Sequence, residues 1–283
     1  MNDKQSNHIM IFSDSQQRGL SHSHLWGTLI FVVMVLMLSV VEGRDSLPVE
    51  VQHLLQAYPD HLLTVEDNII YWHNGSKMVY DDGVKEKDFE MLLNYPDIED
   101  QFSFMYPIGS AYHLPFPRNF DPGRIRYEPF FMNMYGWSAE EVQAKLVEVS
   151  WLPATVNKRI WITSVNNVHE KLQAISNELD RLPDEFKKYL IDIGGTFNWR
   201  AITGTERLSS HSFGIAIDIN VKYANYWKWD NPDPDGEQSY RNQIPLEIVE
   251  IFEKYGFIWG GKWYHYDTMH FEYRPELLLR NFE

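Results

Sequence analysis

The chain has 283 residues, 44% of them hydrophobic and 23% charged, globular values that exclude wholesale disorder and allow one large domain or two small ones. Its formal charge of −15 argues against a nucleic-acid partner, because phosphate binding needs a surplus of Lys and Arg. The absence of Cys removes a disulfide framework, Cys-ligated zinc, a thiol nucleophile and a lipoprotein anchor, leaving a hydrolase built on a metal or an oxygen nucleophile, or a binding module.

Residues 1–24 read as a polar leader carrying His8, His22 and His24. Leu25–Val41 then runs without a charge, at a length between that of a secretory apolar core and that of a membrane span. Val41-Glu42-Gly43 offers a small-residue cleavage site, whereas Trp26 at the apolar boundary suits a retained anchor. Residues 1–43 are therefore read as a leader plus signal peptide or membrane anchor. The protein is expected to be exported to the periplasm or cell envelope, and held in the inner membrane if residues 25–41 are kept.

Residues 44–135 form an N-terminal accessory region of unassigned role. Asn68–Trp72 and Lys77–Tyr80 predict a hairpin around Asn74-Gly75. Asp81-Asp82-Gly83 and Asp121-Pro122-Gly123 are turn signals, and Met105–Arg126 holds four Pro, too many for a regular helix. From Ser138 the pattern becomes regular. Ser138-Ala-Glu-Glu141 is a capping box, with Val142, Leu146 and Val149 following at helical spacing. Arg159–Val165 alternates as a strand. Asn166 or Asn167 is placed to cap a helix reaching Leu182, with Val168, Leu172, Ile175 and Leu179 on one face. Gly194-Gly195 is expected to stop a short helix, Ile215–Ile219 to form a half-buried strand, and Leu246–Tyr255 a helix ending at Gly256. Strands interspersed with helices, without βαβ spacing or Gly-rich phosphate loops, predict an α+β domain over residues 136–283.

The chemistry gathers in the last third. His169-Glu170 begins like the H-E-x-x-H zinc motif, but Gln173 stands where the second His belongs, so His169 reads as a surface residue. Ser209-Ser-His211-Ser-Phe-Gly214-Ile-Ala216-Ile-Asp218 is different: Asp218 interrupts an Ile-alternating strand, where a buried charge needs a partner. Asp267-Thr-Met-His270-Phe-Glu272 supplies a second imidazole. Two His and one carboxylate with an open position make a catalytic zinc set; spacing alone leaves a solvated Asp and a core His equally open.

These two blocks, together with Trp259-Gly-Gly-Lys-Trp263 between them and Asn198-Trp-Arg200 and Gly204-Thr205 upstream, resemble the zinc D-alanyl-D-alanine carboxypeptidases of the VanY type. They are similar in particular to the branch that includes L-alanyl-D-glutamate endopeptidases. The resemblance covers about Ser138–Glu283 and implies a small antiparallel sheet carrying the ligands, with helices packed around it. It implies that His211, Asp218 and His270 bind Zn2+, that Asp267 is the general base, and that Arg200 sits over the substrate carbonyl. It also makes His265 a candidate for transition-state support, on the same strand face as Asp267. Asp267 as a hydrogen-bond partner of a ligand His, and Arg200 as a surface ion pair, remain open. Ser209 is placed to bond a ligand, and Trp259, Trp263 and Tyr266 either wall the cleft or pack the core. No S-x-x-K or G-x-S-x-G occurs, which excludes the common serine-nucleophile alternatives. The expected activity is zinc-dependent hydrolysis of peptidoglycan stem peptides next to D-amino acids. An L-alanyl-D-glutamate endopeptidase and a non-catalytic, zinc-containing wall-binding module are the alternatives.

Overall fold

The fold is set by three short antiparallel sheets whose apolar faces are covered by helices. In a computed structural model, the structure describes residues 47–230 and 239–279. Helix α1 (Val49–Ala57) buries Val51, Leu54 and Leu55. Next comes a meander of β1 (Leu62–Glu66), β2 (Ile69–Trp72) and β3 (Lys77–Val79). The β2–β3 connection is the hairpin expected at Asn74-Gly75: Gly75 adopts φ +86°, and the Asn74 side chain accepts from Ser76 N at 3.0 Å. Helix α2 (Phe89–Asn94) is capped by Asp88, whose carboxylate accepts from Met91 N at 2.8 Å. Met105–Arg126 contains neither helix nor strand, as its prolines require. Helix α3 (Glu128–Tyr135) follows, then α4 (Ala139–Gln143) with Ser138 as its cap.

Here the chain departs from the expected pattern. Helix α4 stops at Gln143, and Leu146 and Val149 lie on β4 (Leu146–Trp151), paired with β5 (Lys158–Thr163) from Leu146↔Thr163 to Trp151↔Lys158. Val147, Val149 and Trp151 favour a pleated surface, and pairing with β5 overrides the helical spacing. Helix α5 (Val168–Leu179) buries Val168, Leu172, Ile175 and Leu179 as expected; it starts after Asn167 in a left-handed conformation without a side-chain cap, and ends before Leu182. Gln173 of the broken zinc motif is structural: its amide donates to Ser150 O at 3.0 Å and accepts from Ser150 N at 2.9 Å.

After α6 (Asp184–Lys187), the Gly pair does not end a helix but forms β6 (Ile193–Gly195). It pairs with β7 (Ala216–Asn220), and a Cβ on Gly194 would sit 3.1 Å from Asp218 Cβ, so a small residue lets the two strands close. The third sheet runs β6-β7-β9-β8, all antiparallel, with β8 at Phe257–Trp259 and β9 at His270–Tyr273. β7 is buried on both faces rather than one, and only Asp218 is partly open. Between β7 and β8 lie α7 (Trp227–Asp230) and α8 (Leu246–Lys254); Phe252 of α8 stacks on Phe271 at 3.9 Å.

Residues 48–135 pack into the same compact unit as the third sheet. Tyr58 Oη donates to Glu276 at 2.6 Å, and Tyr106 Oη donates to Glu253 at 2.6 Å while accepting from Trp259 N at 2.9 Å. Lys262, wholly buried, donates to Pro107 O at 2.8 Å, to Gly109 O at 2.7 Å and to the Glu253 carboxylate. Three acceptors for three ammonium protons make that buried charge tolerable. Among the described residues no helix is long and apolar enough to cross a membrane; the run Leu25–Val41 lies outside them.

Taking Lys262 away strands the Glu253 carboxylate in the interior. Lys262→Met is expected to cost about 3–5 kcal/mol, read as a lower urea midpoint, and adding Glu253→Gln should recover part of the loss.

Candidate active site

The turn that carries His211 is short and tightly held. It is a 3₁₀ segment, Ser210–Phe213, opened by the Ser209 hydroxyl, which accepts from His211 N at 3.4 Å, and closed by Gly214 at φ +65°. A Cβ on Gly214 would lie 2.7 Å from Leu146 Cδ2, so the turn presses against β4 where only glycine fits. His211 Nδ1 faces the Thr196 carbonyl at hydrogen-bond range. A carbonyl only accepts, so Nδ1 carries a proton and Nε2 is the nitrogen turned toward the site. That Nε2 is buried and has no hydrogen-bond partner.

Antiparallel pairing of β7 with β9 sets Asp218 directly opposite His270. Asp218 Oδ1 lies 2.9 Å from His270 Nδ1 and 3.2 Å from His211 Nε2. One ligand atom from each of the three residues therefore lies within 4.8 Å of the other two, a group that could hold a metal ion. The unpartnered His211 Nε2 and the N, N, O donor set both suit zinc. His270 Nε2 is held from the other side by Glu272 Oε2 at 3.2 Å, with Ser210 Oγ also at 3.2 Å. A carboxylate on the far nitrogen orients a ligand imidazole and raises its basicity.

Burial works against both charges of the Asp218–His270 pair. It favours a neutral Asp218, but His211 and His270 prevail and hold its carboxyl far below the usual range. It favours a neutral His270, but Asp218 and Glu272 push its pKa up to about 10. Without a metal, a proton on His270 supplies the positive charge between two carboxylates. Metal binding would displace that proton. Glu272 is likewise kept ionised against burial, by Arg126 at 3.4 Å, His270, and Arg274 at 3.3 Å.

These groups open on a cavity of about 320 Å³ that Asp267 and Arg200 also line. Asp267 sits in the turn before β9: its N–H donates to Gly260 O at 3.0 Å and its carbonyl accepts from His270 N at 3.2 Å. A Cβ on Gly260 would lie 2.6 Å from Asp267 O, so this approach requires glycine. Asp267 is half-buried with Oδ1 itself buried and unpartnered, and desolvation together with the nearby Asp218 charge raises its pKa to about 6. Arg200 is exposed; its side chain touches only Ala201 O, at 3.4 Å, and its backbone N–H is held by Ser212 Oγ at 3.0 Å.

His265 does not join them. Its Nδ1 lies 2.5 Å from Asp121 Oδ2, its ring stacks on Phe89 at 5.7 Å and meets Trp227 edge-on at 4.6 Å, and it is not among the cavity-lining residues. The short segment to Asp267 is a turn rather than a strand, so alternation does not set the two on one face. Ser209 and Trp263 line the cavity. Trp259 and Tyr266 belong to the core, with Trp259 Nε1 donating to Thr268 O at 2.9 Å and Tyr266 Oη to Asp230 at 2.9 Å. Glu272 was visible in the second motif without a role. Arg124 and Arg126, also on the cavity, come from the region that the sequence left unassigned; their only local cue is an Arg-x-Arg after the Asp121-Pro-Gly turn.

Two imidazoles and a carboxylate converging beside a separate buried carboxylate is the arrangement a metal-dependent hydrolase uses. Residues 203–273, about a quarter of the chain, match the model of a D-alanyl-D-alanine carboxypeptidase family of the M15 peptidases. No curated protein and no solved structure matches the chain.

An Asp pKa raised from 3.8 to about 6 means that the folded chain binds this proton more tightly than the unfolded one. Ionisation of Asp267 therefore costs stability as pH rises from about 4 to about 6, and the full cost persists above that. Asp267→Asn is expected to stabilise the metal-free protein by about 2–3 kcal/mol at pH 8, with the gain shrinking toward pH 4, as measured by urea unfolding at both pH values.

Proposed function

We propose that this chain is a zinc-dependent peptidase that hydrolyses peptidoglycan stem peptides next to D-amino acids, with residues 136–283 as the peptidase domain. The reading rests above all on one observation: the His211, Asp218 and His270 donor atoms converge in the cavity that holds the buried carboxylate of Asp267. His211, Asp218 and His270 would hold the metal. When bound, zinc would supply a Lewis acid for the scissile carbonyl and acidify a water.

The chain's own residues supply the proton traffic and the alignment. Asp267, with an unpartnered oxygen in the cavity, accepts the proton of the attacking water and returns it to the leaving amine. Arg200 donates to the carbonyl oxygen as negative charge develops there. Glu272 and Ser210 fix the His270 ring, and the Thr196 carbonyl fixes the His211 tautomer. Peptidoglycan lies outside the cytoplasm, so the proposal carries with it export through residues 1–43 to the periplasm or cell envelope.

Mass spectrometry of the full chain, zinc-loaded, with a defined pentapeptide muropeptide tests this. Loss of one alanine is the expected result and establishes the carboxypeptidase. Release of the peptide beyond L-alanine establishes the endopeptidase. No product, with zinc bound and the fold intact, replaces both with a wall-binding module.

The roles separate on substitution. His211→Ala should lose stoichiometric zinc, read by elemental analysis. Asp267→Ala should keep zinc and lose turnover by roughly 10²–10⁴-fold; unchanged turnover in that variant would sink the mechanism.

A further inference from the structure

Arg124 and Arg200 both line the cavity, and neither has a carboxylate partner among the described residues. The third cavity arginine differs: Arg126 is buried and spends its charge on Glu272. Arg124 is half-buried and firmly placed. It follows the Asp121-Pro122-Gly123 turn, its N–H donating to Asp121 O at 3.0 Å. Gly123 has φ +97°, and a Cβ there would come within 2.3 Å of Ile258 Cδ1, so the turn is pressed onto β8. The guanidinium of Arg124 donates through Nη1 to His265 O at 2.9 Å and lies 5.4 Å from the Trp263 ring centre.

The anchor of that guanidinium is itself anchored. Asp121 is fully buried and holds His265 at two points, accepting from its N–H through Oδ1 at 2.9 Å and meeting Nδ1 through Oδ2 at 2.5 Å. Tyr264 N donates to Phe120 O at 2.8 Å alongside. The Arg124 turn and the segment leading to Asp267 are thus tied together, which holds a cation at a set place relative to the proton-accepting carboxylate. The charge of Arg124 is felt by Asp267 across the cavity, but no carboxylate pairs with it directly, and a planar fork of donors kept partly out of water pairs best with a carboxylate. The remaining donors of Arg124 are available for one.

We propose that Arg124 is a specificity-determining residue that reads a free carboxylate at the end of the substrate peptide, with Asp121 and His265 as its positioning residues. This deepens the peptidase reading and rests on it. In the hydrolysis, water adds across the last amide bond: its oxygen stays on the new terminal carboxylate, its two protons end on the leaving nitrogen, which departs as an ammonium, and the released amino acid carries the carboxylate that Arg124 holds. Internal bonds present no terminal carboxylate there, so the site trims C-termini. Arg124 lies outside the segment matched by the peptidase family model, so the accessory region contributes the selectivity.

The test is calorimetric binding to full-length, zinc-loaded Asp267→Asn protein, which removes turnover. The probes are diacetyl-L-Lys-D-Ala-D-Ala as the free acid and as its C-terminal carboxamide. The acid is expected to bind roughly 10–100-fold more tightly than the amide, and adding Arg124→Gln should shrink that ratio to about 3-fold or less. Arg124→Lys, which keeps the charge without the fork, should give an intermediate ratio and carries the test if the Gln variant does not fold. An unchanged ratio in these variants, no preference for the acid, or no saturable binding of the acid overturns the proposal. D-alanine release by the wild-type chain is read separately. Absence of release beside an Arg124-dependent acid preference overturns the hydrolytic reading alone, and release with an unchanged ratio overturns the role of Arg124 alone.

Discussion

The pairing of Asp218 with His270 across two central strands is the constraint on which the site depends. A carboxylate in the middle of a doubly buried strand is tolerable only with a cation opposite it, and the β7–β9 register puts an imidazole there. His211 completes the charge balance from outside the sheet, on a turn that Gly214 lets press against β4. Three donors then meet with little freedom to move apart, because two ride on hydrogen-bonded strands and the third on a short capped turn. Rigid placement of this kind is what a metal centre needs from its scaffold.

Around that pair the buried charges alternate outward. His270 meets Glu272, Glu272 meets Arg126 and Arg274, and Arg274 pairs with Glu276, which in turn accepts from Tyr58. Each charge would be costly alone and each is paired with the next, although Arg126 Nε and Arg274 Nη2 keep no hydrogen-bond partner. The network begins at the proposed metal ligands and ends at α1, so the N-terminal residues complete the electrostatics of the site as well as covering it. Arg274 Nη1 and Arg126 Nη1 also donate to Gly123 O, at 2.7 and 3.4 Å, and this fastens the turn that carries Arg124. Asp267 stands apart from this balance: its carboxylate is buried beside another negative charge with one oxygen unpartnered, a local cost characteristic of a group kept for chemistry.

Local elements were legible wherever one strong cue acted alone. The Asn74-Gly75 hairpin, the apolar face of α5 and the helix ending before Gly256 all follow from turn chemistry or a clean period. Misreadings fell where pairing overrode local preference. Leu146 and Val149 keep helical spacing yet pair with β5, and Gly194-Gly195, a helix stop by composition, is an edge strand that needs small residues to close on Asp218. Alternation put His265 beside Asp267, but the turn between them sends its ring toward Asp121.

The sequence alone made the candidate donors conspicuous: Asp218 interrupts an apolar strand, His270 follows Asp267, and the two motifs that carry them resemble a peptidase family. It also excluded a thiol nucleophile and the common serine-nucleophile motifs. Only the tertiary structure decided what surrounds those residues. Arg124, Arg126 and Asp121 lie 141–146 positions before His265 and Glu272, the residues they hold, inside a proline-broken stretch with no period. Long-range burial and hydrogen bonding leave no local pattern in such a segment, so its contribution to the site appears only once the chain is folded.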